Sequence, residues 1–197
     1  MATSGCSPVA FVNICENALY FEESCPDLDE DALIKSTLPP KSYLLRSHDN
    51  KFLVFKPENQ FQFQCQNLSD LQQTQTEHRF NIWTYNNGEG ETDGRGVILC
   101  VNTDDEKKKV LCCNKTNQDI CCKKIEDLPR LIEDPTKYLA LFYLTKVAPS
   151  NTYMFKSSCF SNKHLGFKSD VGNPTLIKLV LLEKVDDRSE ITLLPKE

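Results

Sequence analysis

Neither lysine nor arginine occurs in the first 31 residues. A secretory signal needs a basic start, an unbroken apolar core and a small-residue cleavage site. Here the apolar stretch around Phe11 and Val12 is short and meets Asn13 and then Glu16. The segment does not read as a leader, and the expectation is synthesis in the cytosol. The chain also lacks any run of about 18 apolar residues, so no spanning helix and no membrane insertion are expected. Seven glycines and ten prolines are too few for a long linker or a low-complexity protein. The phosphate-cradling patterns GxxxxGK(S/T) and GxGxxG are missing.

Histidine is scarce as well, with only His48, His78 and His164. Cys159 and His164 are close in sequence, but a Cys/His hydrolase also needs an orienting group and an oxyanion site. Neither can be assigned, so no enzyme and no cofactor are expected. At 197 residues the chain is long enough for one well-packed domain and short for two.

What is abundant is acid at one end. Glu16, Glu22, Glu23, Asp27, Asp29, Glu30 and Asp31 give residues 1–31 a charge of −7, against −5 for the whole chain. The remainder holds 21 acids against 23 bases, a balance of +2. So mild an excess argues against a nucleic-acid partner. A cut near residue 31 would remove the acidic surplus.

Ten cysteines would suggest a disulfide framework in a small secreted protein. In a reducing cytosol they stay thiols unless they bind metal or act catalytically. The sequons at Asn67 and Asn114 would be glycosylated only in the secretory pathway; without a leader they read as chance matches. Cys112, Cys113, Cys121 and Cys122 form CC-x7-CC, and four thiolates can hold zinc tetrahedrally. Adjacent residues of a strand point to opposite faces, however, and VLCC-NKTNQD-ICCKK reads as a hairpin with one cysteine of each pair inward. Convergence on one metal is then awkward. Disulfide formation after export, or plain packing with exposed thiols, stays open. The expectation is no metal.

From about residue 42 the chain reads as short strands. SYLLRS, KFLVFK, FQFQCQ, RFNIWTY, GVILCV, VLCC, YLALFYL, YMFKSS, HLGFK, LIKLVLLE and EITLL are rich in β-branched, aromatic and leucine residues. Many alternate with period two or form short apolar runs. Turn-forming stretches such as SHDN, NNGEGETDGRG and SDVGNP separate them. Strands at this spacing predict an all-β sandwich or barrel. Two segments read otherwise: LPRLIEDPTKY suggests a short helical turn before Pro135, and DLDEDALIKS is locally helix-compatible with a poor apolar face.

Several segments resemble the interleukin-18 group of the interleukin-1 superfamily. ENALYFEE and the acidic stretch after it are similar to the precursor region of that group, and KSYLLRSHDNKFLVF to the first hairpin of its mature domain. FNIWTY with the later GRGV resembles its central strand and turn. YMFKSSCFSNKHLGF is similar to the superfamily signature, with Ser161 where many members have proline. LIKLVLLEKVDDRSEITL resembles the last pair of strands. Residues 103–136 match poorly.

The resemblance implies an all-β fold, a β-trefoil of about twelve strands over residues 32–197, behind an acidic propeptide of residues 1–31. It implies a monomeric pro-inflammatory cytokine, held in the cytosol as a precursor and exported without a signal peptide after cleavage. Its expected partners are an interleukin-18-type receptor, an accessory chain and an inflammatory caspase, with interferon-gamma induction downstream. Another ligand or antagonist of the superfamily is the alternative, and a β-trefoil protease inhibitor represents a different class. The expected cut follows Leu28, Asp29, Glu30 and Asp31 and precedes Ala32. A caspase pocket grips the carboxylate before the scissile bond with arginine donors, and a small residue after it avoids a clash. An acidic solvated tail is the plain reading of the same residues, and a cut after Asp29 would put Glu30 behind the bond. By the same resemblance Lys35, Lys41, Arg46, Asp49, Tyr85 and Arg95 fall at receptor-contact positions, although a lone charge on a β-surface is ordinarily just solvated. Thr175 stands where an acidic contact would be, so that contact is not carried over.

Overall fold

The computed structural model describes residues 9–15, 18–23, 32–55, 63–66, 79–86, 95–102, 108–116, 119–147, 151–169 and 177–195. For 9–15, 18–23, 54, 55, 63–66, 95 and 102 it describes the backbone only. Each apolar run expected to be a strand contains one. They include β4 (Lys41–Ser47), β5 (Phe52–Phe55), β6 (Phe63–Gln66), β7 (Phe80–Asn86), β8 (Arg95–Asn102), β9 (Lys108–Cys113) and β10 (Ile120–Ile125). The rest are β12 (Phe142–Lys146), β13 (Thr152–Ser157), β14 (His164–Ser169), β15 (Ile177–Leu182) and β16 (Ile191–Pro195).

Six of these twelve strands close a barrel. β4 pairs with β7, β7 with β8, β8 with β12, β12 with β13, β13 with β16, and β16 returns to β4. Three hairpins hang from the ring: β5–β6 from β4, β9–β10 from β8, and β14–β15 from β13. Strands 4–7, strands 8–10 with 12, and strands 13–16 are thus three four-stranded units around one axis, a β-trefoil. Closing the ring removes the barrel's own sheet edges.

Among the described residues, four further strands lie outside the trefoil. β1 (Val9–Cys15) and β2 (Ala18–Glu23) pair only with each other among the described residues. β3 (Leu33–Lys35) adds to β7, and β11 (Leu131–Ile132) adds to β3. The helix-compatible reading of 27–36 therefore fails where the chain is described. Leu33 is buried, and the backbone amides of Lys35 and Ser36 donate to Arg130 and Thr84 carbonyls, each at 2.8 Å. The helical turn expected before Pro135 starts there instead, as a 3-10 turn over Pro135–Lys137 capped by Asp134. Proline suits a first helical position because the amide it lacks would have no intrahelical partner.

Leu45, Phe80, Leu99, Phe142, Phe155 and Ile191 fill the barrel with other apolar side chains. A second cluster lies outside the barrel wall, where Tyr85, Ile98, Cys100, Cys112, Ile132 and Leu141 pack together. β8 is covered on both faces, Val97, Leu99 and Val101 facing one cluster and Ile98 and Cys100 the other. That double burial accounts for the unbroken apolar run GVILCV. In the β4–β5 turn Asn50 takes φ = 61°, a left-handed conformation that asparagine tolerates. Its amide donates to the Ser47 carbonyl at 3.1 Å.

Candidate functional site

Leu28, Asp29, Glu30 and Asp31 lie outside the described residues. Ala32 is the first described residue after them; it and Leu33 are 9% and 5% exposed. The next side chain, Ile34, is 51% exposed and sits opposite exposed Leu131 across the β3–β11 pair. Alternation along β3 thus puts Leu33 in the core and an apolar residue on the surface.

The described receptor-contact candidates fall at separate places. Lys35 leaves β3 with its ammonium 4.1 Å from the centre of the Trp83 ring, and Lys108 approaches the same ring at 6.0 Å. A cation over an indole face is drawn by the ring's negative π surface. Lys41 starts β4 at the open mouth of the barrel, where Leu38, Tyr43, Leu144, Lys146 and Tyr153 border a cavity of about 540 Å³. Arg46 lies five residues further along β4, about 17 Å away at the rise of a strand. It is half-buried, and its Nε has no hydrogen-bond partner among the described residues.

Asp49 is exposed on the adjoining turn and accepts a 2.6 Å hydrogen bond from the Ser47 hydroxyl, with Lys51 Nζ at 3.5 Å. Partial burial pushes its carboxyl pKa up. The Ser47 hydrogen bond, its own backbone amide, Lys51 and His48 together outweigh that and hold it below the ordinary value. Asp49, His48, Lys168 and Arg188 border a second depression of about 320 Å³. Arg95 opens β8 opposite Leu144, and its side chain is outside the described residues.

Tyr85 requires a correction. It is fully buried, and its hydroxyl donates to the Pro129 carbonyl at 2.8 Å. Burial raises its pKa, helped by Tyr138 and Cys100. The side chain has no surface to offer a partner; it anchors the 128–141 segment to the barrel wall. The barrel-mouth cavity and the Trp83 platform were not singled out in the sequence. Both are assembled from strands far apart along the chain, so no local pattern marks them.

The cysteine hairpin forms as expected, with Cys112 and Cys121 on one face and Cys113 and Cys122 on the other. Cys113 and Cys122 are the inward member of each pair, while on the face expected to leave thiols exposed Cys112 is buried and Cys121 half-buried. The second cluster covers the face that a half-solvated hairpin would leave open. Among the described residues no group of three or more His, Cys, Asp or Glu side chains is placed to hold a metal ion.

No protein-family model matches this chain, and no curated protein matches it in sequence. Solved structures do match. A chicken (Gallus) interleukin-1 beta mutant superposes with a TM-score of 0.60 at 16% identity, covering 82% of this chain and 99% of that one. A chicken interleukin-1 hydrophobic cavity mutant gives 0.57 at 15% identity, covering 82% and 98%. Cry35Ab1 gives 0.52 at 12% identity, covering 81% of this chain and 37% of that one. The chain therefore has the β-trefoil fold of interleukin-1 beta. Likeness to proteins as different as these carries the fold and leaves function to be argued from the site.

Proposed function

We propose that this chain is a cytokine precursor of the interleukin-1 superfamily, of the interleukin-18 type, activated by a caspase-type cut between Asp31 and Ala32. The observation that carries the reading is near end-to-end agreement with chicken interleukin-1 beta, which spans 82% of this chain and 99% of that one. The sequence resemblance supplies the finer branch. The mature product would begin at Ala32, directly before β3. It would act by binding a receptor and an accessory chain at the cell surface, outside the cell that made it, with interferon-gamma induction downstream. It would work as a ligand, presenting charged side chains on a rigid barrel. Lys35, Lys41, Arg46 and Asp49 are the described candidates for that contact.

Cleavage would matter by uncovering this surface. At physiological salt, charges more than about 8 Å apart are largely screened, so the seven acids of residues 1–31 are poor long-range repellers. Direct packing is the better mask. By their apolar sequence Leu19, Tyr20 and Phe21 would supply the adhesion, each large apolar side chain being worth about 1.5–3 kcal/mol when fully buried. Exposed Ile34, Leu38 and Leu131 are apolar surface for such a mask to cover.

The test compares the unaltered chain with Asp31→Ala, both treated with an inflammatory caspase and assayed on interleukin-18-type receptor ectodomains. The unaltered chain should be cut before Ala32 and gain affinity, and the variant should resist. Equal affinity of cut and uncut forms would reject the mask. A cut chain that binds none of the superfamily's receptors would reject the cytokine reading.

A further inference from the structure

The β9–β10 hairpin brings Cys112 and Cys121 into direct register as cross-strand partners, with their sulfur atoms 3.2 Å apart. Directly opposed residues of an antiparallel pair have Cα atoms about 4.5–5.5 Å apart. That lies inside the range a disulfide spans, about 4.4–6.8 Å. Small side-chain rotations would bring the sulfurs to bonding distance, about 2.05 Å. The hairpin end is already closed, since the Asn114 amide donates to the Asp119 carbonyl at 2.8 Å.

The other thiols of the hairpin are not so placed. Cys113 faces Ile120, and Cys122 faces Leu111. The two are diagonal neighbours, at about 7–8 Å, at or beyond what a disulfide bridges without backbone movement. Cys113 lies instead 3.6 Å from the Ser157 hydroxyl. The fold therefore selects one pair out of CC-x7-CC.

We propose that Cys112 and Cys121 form an oxidation site, closing to a single cross-strand disulfide when the chain meets a small-molecule disulfide such as oxidised glutathione. Cys121 is the half-buried member and Cys112 the buried one, which sets the order of events. The Cys121 thiolate attacks one sulfur of the oxidised glutathione, breaking its disulfide and releasing one glutathione thiolate. Cys112 then gives up its proton to solvent and attacks the Cys121 sulfur, expelling the second glutathione. Two protein thiols become one disulfide, and one glutathione disulfide becomes two thiols. Burial and the Cys121 contact raise the Cys112 pKa against a smaller opposing pull from Lys123, so Cys112 suits the resolving role rather than the attacking one. The closed bond would staple the hairpin that carries Lys108 over Trp83. The inference does not depend on the cytokine reading.

The test uses the full chain, fully reduced and then equilibrated with mixtures of reduced and oxidised glutathione. Remaining thiols are alkylated with N-ethylmaleimide under denaturing conditions, and the peptides are mapped by mass spectrometry. The expected result is one intramolecular link between the Cys112 and Cys121 peptides that grows with the oxidised fraction and is reversed by dithiothreitol. Cys112→Ala should stall as a glutathione adduct on Cys121, and Cys121→Ser should leave Cys112 unmodified. Circular dichroism checks that both variants keep the fold, and the map of the unaltered chain decides the matter if either does not. Separate alkylation of both residues at every ratio overturns the proposal. So does a link from either of them to any other cysteine or to a second copy.

Discussion

The Tyr85 hydroxyl donates a 2.8 Å hydrogen bond to the carbonyl of Pro129, tying β7 to the segment that leads into β11. Removing it in Tyr85→Phe leaves that acceptor short of a partner at the cost of an unmet polar group, about 1–3 kcal/mol. The ring itself keeps its packing. Urea unfolding should show a loss in this range with an unchanged slope. On the proposed cytokine reading, receptor affinity should change little, because the side chain is buried.

Alternation alone would have left Tyr85 exposed. Along β7 the inward residues are Phe80 and Ile82, and the period-two rule puts Tyr85 on the outer face with Asn81 and Trp83. It is buried because residues 128–141 fold over that part of the outer face. No local pattern in RFNIWTY records that cover. The twelve trefoil strands were legible because each carries its own periodicity. Their closure into three units came only through the family resemblance, since the units share no visible repeat. Among the cysteines, the split between faces followed from strand geometry. The burial of both faces did not, because it depends on segments distant in sequence.

Gly166 marks a place where β14 has no room for a side chain. A Cβ there would stand 2.3 Å from Leu182 Cδ1 and 2.8 Å from the Arg188 carbonyl oxygen. The leucine can rotate, but the backbone oxygen cannot move without disturbing the 3-10 turn Asp187–Ser189. Gly166→Ala should therefore destabilise the chain by about 1–3 kcal/mol, the usual range for overpacking. Thermal unfolding in reducing buffer measures it. A stability equal to that of the unaltered chain would show that the turn yields freely.

The buried thiols make stability sensitive to alkali. Burial is the main cause raising Cys113 to about 11 and both Cys100 and Cys122 to about 12, from an ordinary 9.0. Unfolding frees these groups to ionise at their ordinary value. Their contribution is therefore intact below about pH 9 and is lost as pH rises toward 11 and 12. Under reducing conditions, urea midpoints should fall across that window. Cys100→Ala should be less stable at neutral pH but show a shallower alkaline decline. Parallel profiles for the two proteins would count against this origin.

The last prediction concerns access to the bond before Ala32, and it rests on the proposed processing reaction. A protease cleft takes its substrate as an extended strand, and residues on both sides of the bond must enter it. Ala32 and Leu33 are buried, and the amides of Lys35 and Ser36 are held by Arg130 and Thr84 carbonyls. β3 must therefore separate from β7 and β11 before the cut. When opening and closing are fast relative to cleavage, the rate follows the open population. Leu33→Ala removes the side chain that holds β3 in the second core cluster, a change worth about 2–5 kcal/mol for a buried leucine. Even about 1.4 kcal/mol of that, expressed in the local opening, raises the open population about tenfold. Caspase kcat/KM at Asp31 should rise by about that factor. Leu165→Ala is the control, because it weakens the barrel core from a strand that does not pair with β3. If Leu33→Ala and Leu165→Ala accelerate the cut equally, global unfolding rather than release of β3 exposes the bond. If neither changes the rate, Ala32 and Leu33 already reach the cleft in the folded chain.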